Sequence, residues 1–190
     1  MGVSWIVISI GLISTLQPWT NTKAQLTDED WRRAAEAVVR LNPGAVPGLP
    51  SELRAALESR GCTIPQPYDA KGHVKNVIKG EFTSAGEADW AVLCSRQKRS
   101  AILLFRSGSR RVAEFAERSD SQFLQVIGPG NEIGYTRLLT TATPKTIRQH
   151  LSYGTALAIE HAGIEDNFIG KASLVWYQSN GKWIQVAATD

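Results

Sequence analysis

Residues 172–188, ASLVWYQSNGKWIQVAA, constrain this chain more than any other stretch. Two β-prone apolar runs flank Asn180-Gly181, the residue pair that best tolerates positive φ at both centres of a type I′ turn. The stretch therefore predicts a β-hairpin. Placing Asn180 and Gly181 at the turn sets the register: Gln178 opposite Trp183, Tyr177 opposite Ile184, Val175 opposite Val186. Strand side chains alternate, so one face carries Val175, Tyr177, Ile184 and Val186, and the other Trp176, Gln178, Trp183 and Gln185. The first is a core face. The second mixes tryptophan with glutamine and is the candidate ligand-binding face.

The rest of the chain sorts into helices first and strands afterwards. Leu26 to Leu41 predicts a helix. Thr27 and Asp30 resemble a capping box, and Trp31, Ala34, Ala35, Val38 and Leu41 form one apolar stripe. The breaker NPGAVPGLP follows, then a short helix, ELRAALESR, capped by Ser51, stopped by Gly61, and buried through Leu53, Ala56 and Leu57. From Cys62 onward the pattern is that of strands. HVKNVIKGEF alternates, with Val74, Ile78 and Phe82 on one side. WAVLC and AILLF are continuous apolar runs, as central strands covered on both faces require. VAEFAE predicts a weaker strand. FLQVI and IGYTRLLT flank the turn GPGN. Thr143-Pro144 opens a helix through Leu151, and TALAIEH returns to alternation. The fold class expected is α+β: two N-terminal helices packed against a mainly antiparallel β-sheet that ends in the β-hairpin. The segments are 1–24 as a leader, 25–61 as a helical segment and 62–190 as a β-rich domain, with 25–190 one folded unit.

The 190 residues and 43% hydrophobic content suit one globular domain. The first segment is different. Val3 to Leu16 carries no charge, yet it falls short of the roughly 20 apolar residues a spanning helix needs. It matches the apolar core of a signal peptide, with Thr22 and Ala24 before a cleavage site, although the only positive group ahead of it is the terminal amine. A buried N-terminal helix or an anchor is the alternative. Cleavage after Ala24 removes Lys23 and leaves 20 basic against 18 acidic residues, a net charge of +2. That is too mild for a nucleic-acid partner, and no later segment is apolar for long enough to span a membrane. Two cysteines, Cys62 and Cys94, suggest one disulfide in an exported protein, with two buried thiols as the alternative. The expected location is the periplasm or the exterior.

The stretch GEFTSAGEADWAVLC, Gly80 to Cys94, places acidic residues at intervals in a glycine-bearing turn. Together with SAILLFRSGS, it resembles one FG-GAP or VCBS-type repeat, the blade unit of integrin-like β-propellers, over Gly80–Gly108. The resemblance implies a calcium loop with Glu81 as first acidic position, Gly86 as turn glycine and Asp89 as last ligand. Calcium is thus the one cofactor suggested, with Glu81 and Asp89 as its metal residues. Thr83 and Ala85 stand where that family has Asp or Asn, and calcium needs six to eight oxygens. The motif occurs once, and a propeller needs at least four blades. The chain's last thirty residues also resemble the tails of uncharacterised exported bacterial proteins, which implies no activity.

His161, Glu165 and Asp166, in EHAGIEDN, form the densest set of ionisable groups. Such groups suit metal binding or proton transfer, but EDN also reads as a solvated loop. No GxSxG, Walker or GxGxxG motif is present in the order of elements it needs. The function expected is therefore a non-catalytic binding or interaction module for a protein or polysaccharide ligand. The alternatives are a hydrolase or metal-dependent enzyme using Glu81, Asp89, His161, Glu165 or Asp166, and a structural component of an envelope assembly.

Overall fold

The computed structural model describes residues 1–2, 25–109, 111–151 and 157–188. The expected leader lies outside them. Helix α1 spans Asp28–Ala37. Its capping box is complete: Thr27 Oγ1 accepts from Asp30 N, and Asp30 Oδ2 accepts from Thr27 N at 2.8 Å and from its hydroxyl at 2.7 Å. Those bonds, the hydroxyl's first, hold the Asp30 carboxyl down at about 2. The folded value lies below the ordinary one, so this contribution is present above pH about 3.8 and is lost as pH falls through about 2. The helix ends four residues earlier than the periodicity predicts. Val38 and Val39 are β-branched, and the chain turns extended as β1 (Arg40–Leu41), pairing with β2 (Ile64–Pro65). Helix α2 runs Ser51–Glu58, so Ser51 is its first residue rather than its cap; Pro50 holds that place without a side-chain bond.

Two four-stranded antiparallel sheets make the body of the fold. The first orders β3 (Val77–Gly80), β4 (Asp89–Arg96), β5 (Arg99–Phe105) and β6 (Val112–Ser119) in sequence. A small ribbon of β7 (Leu124–Val126) and β8 (Ile133–Tyr135) follows. The second sheet has the order β12-β11-β10-β9, from β9 (Arg137–Ala142), β10 (Gly163–Phe168), β11 (Ala172–Ser179) and β12 (Lys182–Ala188). Helix α3, Pro144–His150, joins the second sheet's first two strands and is capped by Thr143. The fold is α+β and mostly antiparallel sheet.

Alternation explains the layers. Ala91, Leu93, Ile102 and Leu104 face Leu139, Ile164 and Trp176 of the second sheet in one cluster. Their neighbours Val92, Cys94, Leu103 and Phe105 point the other way, under α2 and Val46, Leu49, Cys62 and Ile64. Both faces of β4 and β5 are therefore covered, as their unbroken apolar runs require. Each fully buried leucine or isoleucine there adds about 1.5–3 kcal/mol. The outer face of the second sheet packs Val175, Tyr177 and Val186 on Ile147 of α3. Helix α1 lays Trp31, Ala34 and Ala35 on Phe123, Leu124 and Tyr135, and Val38 just after it joins them. Cys62 and Cys94 are bridged, with Cα atoms 5.1 Å apart.

The terminal hairpin has the predicted register at every pair, with Asn180 and Gly181 at φ 51° and 73°. Four other readings need correction. HVKNVIKGEF is strand only from Val77, because Asn76 takes φ 66°. Its side chain donates to Pro65 O and Arg137 O and accepts from Leu139 N, tying β2 to β9. That turn sends Val74 to the α2 side of the sheet while Ile78 and Phe82 stay between the sheets. IGYTRLLT is two strands, not one: Thr136 bonds Phe123 O through both its N–H and its hydroxyl, and β8 and β9 leave it for different sheets. GIEDNF is not a loop but the inner strand β10. Of TALAIEH, residues 155–156 lie outside the described set and 157–160 form no strand.

Candidate functional site

An open cleft of about 620 Å³ lies where α1, β8 and two loops converge. Its walls are apolar. Ala34, Ala37 and Val38 come from the end of α1, Val39 and Leu41 from β1 and its approach, Pro67 and Tyr68 from the segment after β2, and Ile127 and Ile133 from the β7–β8 ribbon. Local chemistry positions each wall. Gln66 N donates to Val39 O at 2.8 Å, and Tyr68 N donates to Tyr135 O at 2.8 Å. The Gln66 side chain closes the base of the 66–75 loop, accepting from Lys75 N at 2.7 Å and donating to Lys75 O at 3.0 Å. Gly134 permits the close approach: a Cβ there would lie 2.7 Å from Tyr68 Cβ and 2.7 Å from Ile127 Cδ1.

Two of the large apolar side chains that the described residues leave in water belong to the cleft. Val39 is 61% exposed and Tyr68 46% exposed, and both line it. Tyr135, on the inner wall, is buried; burial first and the nearby Asp120 second push its phenol far above the ordinary tyrosine range, so it is neutral. The ionisable groups at the rim are Lys71 and His73.

None of the hairpin residues singled out from sequence lines this cleft. Trp176 is buried, and its ring centroid lies 5.0 Å from that of Phe115 on β6. Trp183 stacks on the same Phe115 at 4.6 Å. Both tryptophans thus close the space between the two sheets. Gln178 is half-buried and Gln185 exposed.

The acidic residues and His161 are each held separately. Asp166 forms a two-pronged pair with buried Arg137, both contacts 2.8 Å. Glu165, its neighbour on β10, points to the opposite face and accepts from Thr140 and Ser173 hydroxyls, each at 2.8 Å. His161 is buried and stacked on Tyr177, with Nδ1 on Ala162 O and Nε2 on Gln178 O. Among the described residues no three of His, Cys, Asp and Glu gather closely enough to hold a metal.

The Gly80–Asp89 loop is clasped by its own carboxylate. Asp89 is fully buried; Oδ2 accepts from Thr83 N at 3.0 Å and Thr83 Oγ1 at 2.8 Å, and Oδ1 accepts from Ser107 N at 3.0 Å. Glu81 is exposed. Phe82 folds back over Gly80, with Cζ 2.7 Å from where a Cβ would stand. Replacing Asp89 by alanine leaves the buried N–H and hydroxyl of Thr83, and the N–H of exposed Ser107, without their acceptor and should cost about 1–3 kcal/mol. Melting curves in millimolar calcium and in chelator should show the same loss; a calcium-dependent rise that Asp89→Ala abolishes would make the loop a metal site.

The cleft draws on four separate chain segments, which hides it from any local pattern. Its one sequence signal is Val38-Val39 continuing the apolar stripe of α1 beyond the helix. The fold and the cleft together define the class: an α+β protein of antiparallel sheets with an open, mainly apolar groove. Comparison with protein families, characterised proteins and solved structures gave no match.

Proposed function

We propose that this protein is a non-catalytic binding module whose ligand lies in the apolar cleft. The observation that carries this reading is the coincidence of a cavity of about 620 Å³ with two large exposed apolar side chains, Val39 and Tyr68, on its wall. Pockets that take small ligands have this size and an apolar lining with few polar groups. Most of the lining is aliphatic, with Gln66 and Tyr135 buried, so the cleft favours an apolar ligand over a sugar.

The binding needs no cofactor. Calcium at Glu81 and Asp89 would have to displace the donors that Asp89 already serves. The Cys62–Cys94 bridge supports a site of action outside the cytoplasm, in the periplasm or beyond. No helix among the described residues is long and apolar enough to cross a membrane. A mature chain from the native host beginning at Gln25, read by mass spectrometry, would match export with cleavage after Ala24; an intact Met1 would contradict it.

The test of the cleft is direct. N-phenyl-1-naphthylamine, a neutral apolar dye that brightens out of water, should bind the full chain. Ala37 is exposed at the cleft's edge, so Ala37→Trp should fill the mouth and weaken binding at least about tenfold, in line with a few kcal/mol of apolar burial, while the melting temperature stays put. Absent dye binding, or binding unchanged by Ala37→Trp, would remove the proposal.

A further inference from the structure

We infer that the ligand of the cleft is an amphiphile with an anionic end, an alkyl carboxylate of about a dozen carbons, whose chain lies along the apolar walls and whose carboxylate meets Lys71. This rests on the binding reading above and adds the ligand's charge. The two ionised or ionisable side chains at the rim other than tyrosine are Lys71 and His73, and no aspartate or glutamate lines the cleft. Asp69, the carboxylate nearest in sequence, lines a different pocket, with Thr140 and Ser173. The walls thus present apolar surface and the rim presents the Lys71 ammonium with no carboxylate on the lining, which is the complement of an amphiphilic anion.

Lys71 shares the lack of an ion pair with other described lysines, such as Lys75, Lys79 and Lys145, and differs from them as the one lysine or arginine that lines the cleft. Arg32, Arg33, Arg40, Arg96, Arg99 and Arg137 each have a carboxylate partner. Lys71 is exposed and makes no ion pair among the described residues. It also stands where lysine is a poor choice. Lys71 and Gly72 take φ 48° and 81°, with His73 N donating to Ala70 O at 2.8 Å: a tight turn with two left-handed residues. Glycine or asparagine fits that conformation with less strain. Lys98 takes φ 60° in another turn, so the conformation alone does not mark Lys71; its place on the cleft lining does. The turn is fastened to the cleft floor by the Tyr68–Tyr135 backbone bond, so the ammonium is delivered to the edge of the groove by a short, anchored loop.

The experiment is displacement of N-phenyl-1-naphthylamine from the full chain by three ligands of equal length: dodecanoate, dodecanol and dodecylammonium. Dodecanoate should displace it at concentrations about tenfold lower than either of the others, the advantage of one charge-assisted contact. Lys71→Asn keeps the turn and should erase most of that preference. Lys71→Glu should reverse it in favour of dodecylammonium. Equal displacement by all three, or a preference for dodecanoate that survives Lys71→Glu, would overturn the inference while leaving the apolar cleft standing. Failure of the dye itself to bind would overturn both. Sedimentation of the same samples reads the competing occupant: a dimer that dissociates as the dye binds would assign the cleft to a second copy of the chain. Anionic vesicles that displace the dye more effectively than free dodecanoate would move the recognition to a lipid surface, and either result would end the proposal.

Discussion

Replacing Cys62 and Cys94 together by alanine should lower stability by about 3–4 kcal/mol, because the bridge closes a loop of 32 residues in the unfolded chain. For a domain of this size each kcal/mol shifts the melting temperature by about 2–4 °C, so a fall near 10 °C is expected. Alanine keeps hydroxyl groups out of the apolar cluster in which both sulfurs lie. The bridge fastens the end of α2 to the central strand β4. Beside it, Thr63 N donates to Ser95 O at 3.0 Å and Ser95 N to Thr63 O at 2.7 Å. Those bonds survive the substitution, so the double variant should remain folded and its denaturation should remain cooperative. Thermal melts of both forms, and of the native form under reductant, measure the effect. A loss under about 1 kcal/mol would show that the helix end is held by packing and backbone pairing, not by the bridge.

What was legible in the sequence was what is decided locally. The Asn180-Gly181 turn sets the register of seven pairs because turn chemistry and alternation act over neighbouring residues. The runs around Val92 and Leu103 announced burial on both faces because no polar residue interrupts them. Three of the misreadings share one cause: a polar side chain whose partner is distant in sequence. GIEDNF looks solvated, yet Glu165 is matched by Thr140 and Ser173, and Asp166 by Arg137, from the two flanking strands. Asn76 looks like one more residue of an alternating strand, yet its amide serves Pro65, Arg137 and Leu139. The bend at Thr136 depends on Phe123 O, outside the stretch that it divides. The tryptophan–glutamine face of the hairpin follows from alternation alone, but the strand that covers its tryptophans, β6, is more than fifty residues away. The cleft was out of reach for the same reason.

Arg137 is the extreme case, and its removal carries the second large expected effect. Its guanidinium is fully buried and has all five of its N–H groups matched. Nε and Nη2 reach the two oxygens of Asp166 at 2.8 Å each; Nη1 donates to Ser100 O and Oγ at 2.9 Å each; Nη2 also donates to Ala116 O at 2.8 Å. The ring of Phe123 lies under it at 4.6 Å. Ser100 and Ala116 belong to the first sheet and Asp166 to the second, so a single side chain ties the two sheets together. The irregularity in the first sheet belongs to this arrangement: Ser100 pairs with Arg118 but Ile102 with Phe115, which leaves one extra residue on β6, where Ala116 sits at φ 57° with its carbonyl on Arg137. Arg137→Ala should therefore cost about 3–5 kcal/mol, since it strands Asp166 as an unpaired buried charge and frees the bulge carbonyl. Arg137→Lys should recover little, because one ammonium has three donors and no fork to match a carboxylate and a serine at once. Burying two charges is itself costly, so replacing both partners by apolar residues, Arg137→Met with Asp166→Leu, should be milder than Arg137→Ala alone. Urea unfolding of the three variants decides it. If Arg137→Ala costs less than about 1.5 kcal/mol, or the double variant is the least stable of the set, then the pair is not the tie between the sheets, and the hydrophobic cluster between them, with Phe115 against the two tryptophans, carries that role alone.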